Sequence, residues 1–167
     1  MKHHDASWSF LPQDLEQLDH LLLTFLDTTS ARCALLVDRS GQLLTFAGDG
    51  LTFDGTAFAS LAAADFAASD QLAQLLGEDE FKALYHQGEK DSMYLVDIHG
   101  RAILAALFNG GTTLGLVRLT TRRLLPEIET LFQTVSERGA HAPDQAQYFD
   151  SGWLSEAEGE IDKLFAE

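Results

Sequence analysis

The feature that most constrains this chain is an alternation between Leu35 and Glu137. Short apolar runs, each closed by turn residues, are interrupted by stretches of helical spacing. Cys33 to Val37 reads as a buried strand and Gln42 to Ala47 as its return. Between them, Asp38-Arg39-Ser40-Gly41 predicts a hairpin turn, with Gly41 free to take a positive φ. Phe53-Asp54-Gly55-Thr56 leads into a helix from about Ala57 to Leu76, which Gly77 ends. Three strands follow: Phe81 to His86, Met93 to Ile98 and Ala102 to Phe108. Gln87-Gly88-Glu89-Lys90 and His99-Gly100 form the turns between them. Thr112 or Thr113 caps a long helix from Leu114 to about Arg138, and Pro126 is expected to bend or split it. Upstream, Leu15, Leu18, Leu22, Phe25 and Leu26 mark a first helix that opens at Gln13 and stops at Thr28-Thr29-Ser30.

This order predicts an α/β fold, αββαβββα, with a five-stranded antiparallel sheet. One helix covers one face and two cover the other. Residues 1–12 form an N-terminal lead, 13–138 the domain and 139–147 a linker containing Gly139 and Pro143. In 148–167, Trp153, Leu154, Ala157, Ile161, Leu164 and Phe165 recur at helical spacing. Glu156, Glu158, Glu160 and Asp162 surround them. That pattern predicts an acidic amphipathic C-terminal helix.

The net charge is −15, from 26 acidic and 11 basic residues. Such a field repels phosphate backbones and anionic lipid, which argues against nucleic acid and membrane surfaces as partners. A partner with a basic face fits better, although solubility alone accounts for the charge equally well. No apolar run has the length of a membrane span, and the first residues lack the pattern of a signal peptide. With the single cysteine, Cys33, this leads us to expect a cytoplasmic protein.

Residues able to do chemistry are scattered. Gly48-Asp49-Gly50 lacks the lysine and Ser/Thr of a phosphate loop. The six histidines show no metal-ligand spacing, and Cys33 sits in an apolar run where a buried thiol is inert. Asp38, Asp97 and His99 lie at strand ends, where a carboxylate ordinarily bonds local backbone. Arg118, Arg122 and Arg123 cluster on the last domain helix, either to meet an acidic partner or to pair with the chain's own carboxylates. No catalytic site, cofactor or metal is expected.

The alanine-rich helix is more specific. At about 100° per residue, Leu61, Ala68, Leu72, Leu75 and Leu76 share one arc, read here as the face against the sheet. Ala59, Ala63, Phe66, Ala67, Asp70 and Gln74 then point away, an outward face with few charges suited to contact with another chain. Burial of this helix inside a homodimer explains the composition equally well.

Several short segments point to a known family. They are Ala34-Leu35-Leu36-Val37-Asp38-Arg39-Ser40-Gly41, Leu75-Leu76-Gly77-Glu78 with Phe81, His86-Gln87-Gly88-Glu89, and Leu114-Gly115 opening the last helix. In these and in element order, residues 13–138 resemble the roadblock/LC7 (profilin-like) domain, and within it bacterial regulators of the MglB type. The acidic segment at the end is similar to the tails of those proteins. The resemblance implies a homodimer that forms a platform for a small Ras-like GTPase of the MglA type, acting in cell polarity and motility, and with that a polar location in the cytoplasm. It implies GTPase activation without an arginine finger, by repositioning the GTPase's own catalytic residues. It also implies nucleotide exchange promoted by the C-terminal helix. Carried onto this chain, the contact helix would present Ala63, Ala64, Ala67, Ala68 and Gln71, to which the helical wheel adds Phe66 and Asp70. Trp153, Ile161, Leu164 and Phe165 would anchor the tail. The alternative is a scaffold of the same fold that binds a GTPase or localisation factor without altering hydrolysis.

Overall fold

The computed structural model describes residues 9–49 and 52–140. Its elements are α1 (Pro12–Thr29), β1 (Cys33–Asp38), β2 (Leu43–Gly48), α2 (Gly55–Leu75), β3 (Ala83–Gln87), β4 (Ser92–Ile98), β5 (Ala102–Phe108) and α3 (Leu114–Ala140). The strands form one antiparallel sheet in the order β2-β1-β5-β4-β3. Phe10–Gln133 makes up one compact unit. Of the other, Met1–Ser9 with Thr134–Glu167, only Ser9 and the end of α3 are described.

Local chemistry fixes the element ends. Pro12 opens α1 with its φ already helical, and the Asp14 carboxylate accepts the Leu11 N–H at 2.8 Å. Asp54 caps α2, taking the N–H groups of Thr56 and Ala57 at 2.9 and 3.1 Å. Thr113 Oγ1 accepts the Leu116 N–H at the start of α3. The β4–β5 turn has positive φ at both His99 and Gly100, a backbone twist that matches that of a hairpin, and the Arg101 N–H closes it onto the Ile98 carbonyl at 3.0 Å. In the β1–β2 turn Gly41 takes φ +91°, as expected, and a Cβ there would stand 3.1 Å from Ser60 Cα. The turn therefore lies directly against α2.

Both sheet faces are apolar, which is why every residue of β1 is buried. Cys33, Leu35, Val37, Leu95, Ile103 and Ala105 meet Ala59, Ala62 and Phe66 of α2. The register shift between Leu36 and Val37 keeps Leu43 on this side, opposite Val37. The opposite face carries Ala34, Leu36, Val96, Leu104, Ala106 and Phe108, also buried. Helices α1 and α3 bring Leu18, Leu22, Phe25, Val117, Ile128 and Phe132 to cover it. Thr45 of β2 donates to Asp19 of α1, and Phe10 packs edge-on to Phe132 at 5.7 Å.

Of the two expected effects, bending or splitting, Pro126 does not split α3; the helix runs unbroken from Leu114 to Ala140. Pro126 is exposed, so the carbonyl four residues back that loses its N–H partner faces water. The segment 148–167, most of the linker and the lead before Ser9 lie outside the described residues.

Candidate functional site

Helix α2 is 21 residues long and has only two charged side chains, Asp65 and Asp70. Both are committed to the sheet side. Asp65 takes a hydrogen bond from the His86 ring of β3 at 2.7 Å. Asp70 pairs with Arg39 of the β1–β2 turn at 2.8 Å, and the same guanidinium reaches Asp97 of β4 at 3.4 Å. Arg39 also lies 5.2 Å from the centre of the Phe66 ring. One arginine thus gathers a hairpin turn, a helix and a central strand.

This arrangement reverses the expected orientation of α2. Ala59, Phe66 and Ala73 are fully buried and Ala62 nearly so, whereas Leu61, Leu72, Leu75 and Leu76 are 71%, 56%, 83% and 73% exposed. Phe66 is therefore a core residue rather than a contact residue, and Asp70 is occupied by Arg39. The physical reason lies in the sheet. Its strands already supply large side chains, Leu35, Leu95 and Ile103, so the facing helix needs small residues and one large ring. With apolar residues on both sides of α2, the wheel could not identify the inner one. Of the other expected contact residues, Ala64, Ala67, Ala68 and Gln71 are exposed, while Ala63 is half-buried against the core.

The outer face of α2 thus carries Leu61, Ala64, Ala68, Leu72 and Leu75 with no charge among them. Isolated exposed leucines are ordinary, whereas an uncharged row along one helix is a candidate contact surface. Sequence reasoning missed the four leucines. A signal for them existed: Phe66 and Asp70 lie one turn apart, so whatever buries the ring also places the carboxylate near the single arginine of the turn. Next to this helix, β3 is an edge strand of the sheet, and four of its five residues are exposed.

The residues considered for chemistry are engaged separately. Asp38 accepts from Ser40 Oγ and the Gln42 N–H, closing the hairpin. Asp97 accepts the Gly100 N–H at 2.6 Å. Its carboxyl is held above the ordinary value of 3.8, because burial outweighs that hydrogen bond and the nearby Arg39. His99 pairs with Glu129 of α3. Cys33 is buried, and desolvation pushes its thiol up, away from reactivity. A small cleft beside it, about 110 Å³, is lined by Arg32, Asp49, Thr52, Phe53, Asp91 and Leu107, with Arg32 and Asp91 paired across it. Among the described residues no group of three His, Cys, Asp or Glu could hold a metal ion, and no helix is long and apolar enough to cross a membrane. The tail residues Trp153, Ile161, Leu164 and Phe165 lie outside the described residues.

Comparison with known proteins identifies this arrangement. Residues 17–108 match the Roadblock/LC7 domain. MglB of Myxococcus xanthus is 36% identical and superposes with a TM-score of 0.68, over 71% of this chain and 96% of that one. The gliding protein MglB of Thermus thermophilus is 30% identical with a TM-score of 0.70, over 77% of this chain and 97% of its own. An MglB with tetrameric arrangement gives 30% and 0.73 over the same shares. The αββαβββα order, the five-stranded sheet and the matched residues make this chain a member of the Roadblock/LC7 family, similar to MglB proteins.

Proposed function

We propose that this protein is a homodimeric regulator of a small Ras-like GTPase of the MglA type, in cell polarity or motility, with no catalytic site of its own. The observation that carries the reading is the uncharged outer face of α2, in a chain similar to MglB proteins over nearly their whole length. Ala64, Ala67, Ala68 and Gln71 allow another backbone to come close, and Leu61, Leu72, Leu75 and Leu76 supply apolar area around them. A second copy extends the sheet past β3 or the helix layer past α2, so that two copies build one platform.

The protein acts on hydrolysis by fit alone. It binds the GTP-loaded state and holds the GTPase's own catalytic groups closer to their transition-state positions than to their resting ones. Residues 148–167 engage a second face of the GTPase through Trp153, Ile161, Leu164 and Phe165, and promote exchange there.

The test is single-turnover GTP hydrolysis by an MglA-type GTPase with and without this protein. Acceleration that saturates with concentration is expected. Binding without acceleration would reject the activating role and leave a scaffold of the same fold.

A further inference from the structure

Helix α3 carries a second outward face, unlike that of α2. Arg118, Arg122 and Arg123 are all exposed on it. No carboxylate among the described residues pairs with any of them, although Glu127 stands one turn beyond Arg123. In a chain with 26 acidic and 11 basic residues, three arginines in one place with no paired carboxylate among the described residues are a sharp local reversal of the overall charge.

The arginines are not alone on this face. Leu119 is 48% exposed and Leu116 39%. At about 100° per residue, Leu119 falls between Arg122 and Arg123, and Gly115 and Pro126 lie along the same strip. A Cβ at Gly115 would meet only the Thr113 hydroxyl, at 3.9 Å, so the backbone there is open to close approach. Guanidinium groups beside leucines and bare backbone suit a ligand that is both anionic and apolar. A purely anionic ligand would leave the leucines wet, and a purely apolar one would desolvate the arginines.

Residues 148–167 have that double character. Glu156, Glu158, Glu160, Asp162 and Glu167 lie among Trp153, Leu154, Ile161, Leu164 and Phe165, with Lys163 the one cation. We propose that the outer face of α3 in one copy binds the acidic segment 148–167 of a second copy. Arginine suits this task better than lysine, since its planar head pairs with a carboxylate through two hydrogen bonds and also stacks on an aromatic ring. Trp153 and Phe165 supply such rings. This contact lies on a different helix from the α2 platform and does not depend on that platform, but it draws on the same segment as the second GTPase face, so the two contacts compete for residues 148–167.

The test uses the full chain and a fluorescein-labelled peptide of residues 148–167, read by polarisation, together with sedimentation of the full chain alone. R122E/R123E is the variant, with R122Q/R123Q as a second that removes charge without reversing it. Both alter exposed side chains, so circular dichroism melting should match the wild type. The wild type is expected to bind the peptide, R122E/R123E at least about ten-fold more weakly, and salt near 0.5 M to weaken binding similarly by screening. At high concentration the wild type should sediment as a larger assembly than R122E/R123E. Absent peptide binding, or affinity equal in the variant, would overturn the proposal. Equal sedimentation of the two proteins would overturn the second-copy assignment. Arginine-dependent retention on phosphatidylserine vesicles, without peptide binding, would give the face to a lipid surface and overturn it as well.

Discussion

Arg39 holds two carboxylates of the α2 side of the sheet, and they depend on it differently. Asp70 keeps a 2.8 Å ion pair with it, whereas Asp97 stands 3.4 Å away and is mainly governed by burial. Removing the cation strands both charges. Arg39→Met is expected to lose about 3 kcal/mol, read as a fall in the urea midpoint, because a half-buried pair broken on one side leaves an uncompensated charge. Asp97 gives the opposite sign. Its carboxyl binds a proton more readily folded than unfolded, so its contribution to stability is largest at low pH. That contribution is lost as pH rises from the ordinary 3.8 through the higher folded value. Asp97→Asn, which keeps an oxygen for the Gly100 N–H, should be as stable as the wild type or more so at pH 7. The difference should vanish or reverse on acidification. Urea titrations at two pH values check this. The Arg39–Asp97 contact was not legible in the sequence, where the two read only as turn and strand-end residues; it joins positions far apart in the chain.

At the scale of elements, turn chemistry made the order of strands and helices legible. Gly41, Asp54, Gly77, Thr113 and the His99-Gly100 pair each stand where a turn or cap requires them. The face of α2 was not legible. Periodicity separates apolar from polar sides, and this helix has apolar residues on both; the bulk already present on the sheet decided which side faces inward. Two substitutions separate the sides. Phe66→Ala should cost about 3–5 kcal/mol in a denaturant titration, since the ring has no water-exposed surface and its loss leaves a cavity. Leu72→Glu should change monomer stability by less than about 0.5 kcal/mol, as expected for an exposed site. It should abolish both the dimer, by light scattering, and GTPase binding, by pull-down. If Leu72→Glu leaves both intact, α2 is not the platform.

For the whole molecule, the expected state is a dimer at tens of micromolar, and a monomer by sedimentation would remove the platform. Deleting residues 148–167 should weaken GTPase binding or nucleotide exchange while leaving the dimer in place. Loss of folding or of the dimer on deletion would make that segment structural instead.

Helix α2 is tied to the rest of its unit at intervals of about one and a half turns: Ser60 under the Gly41 turn, Asp65 to His86, Asp70 to Arg39. A helix fixed at three places has little freedom left to lose on docking, so association there carries a small ordering entropy. It also yields little. When a stiff body meets a softer one, the softer one deforms, and the strain of an imperfect fit falls on the partner. For the regulator proposed above, which on that reading has no reactive groups of its own, rigidity is the means by which it imposes a shape on something else.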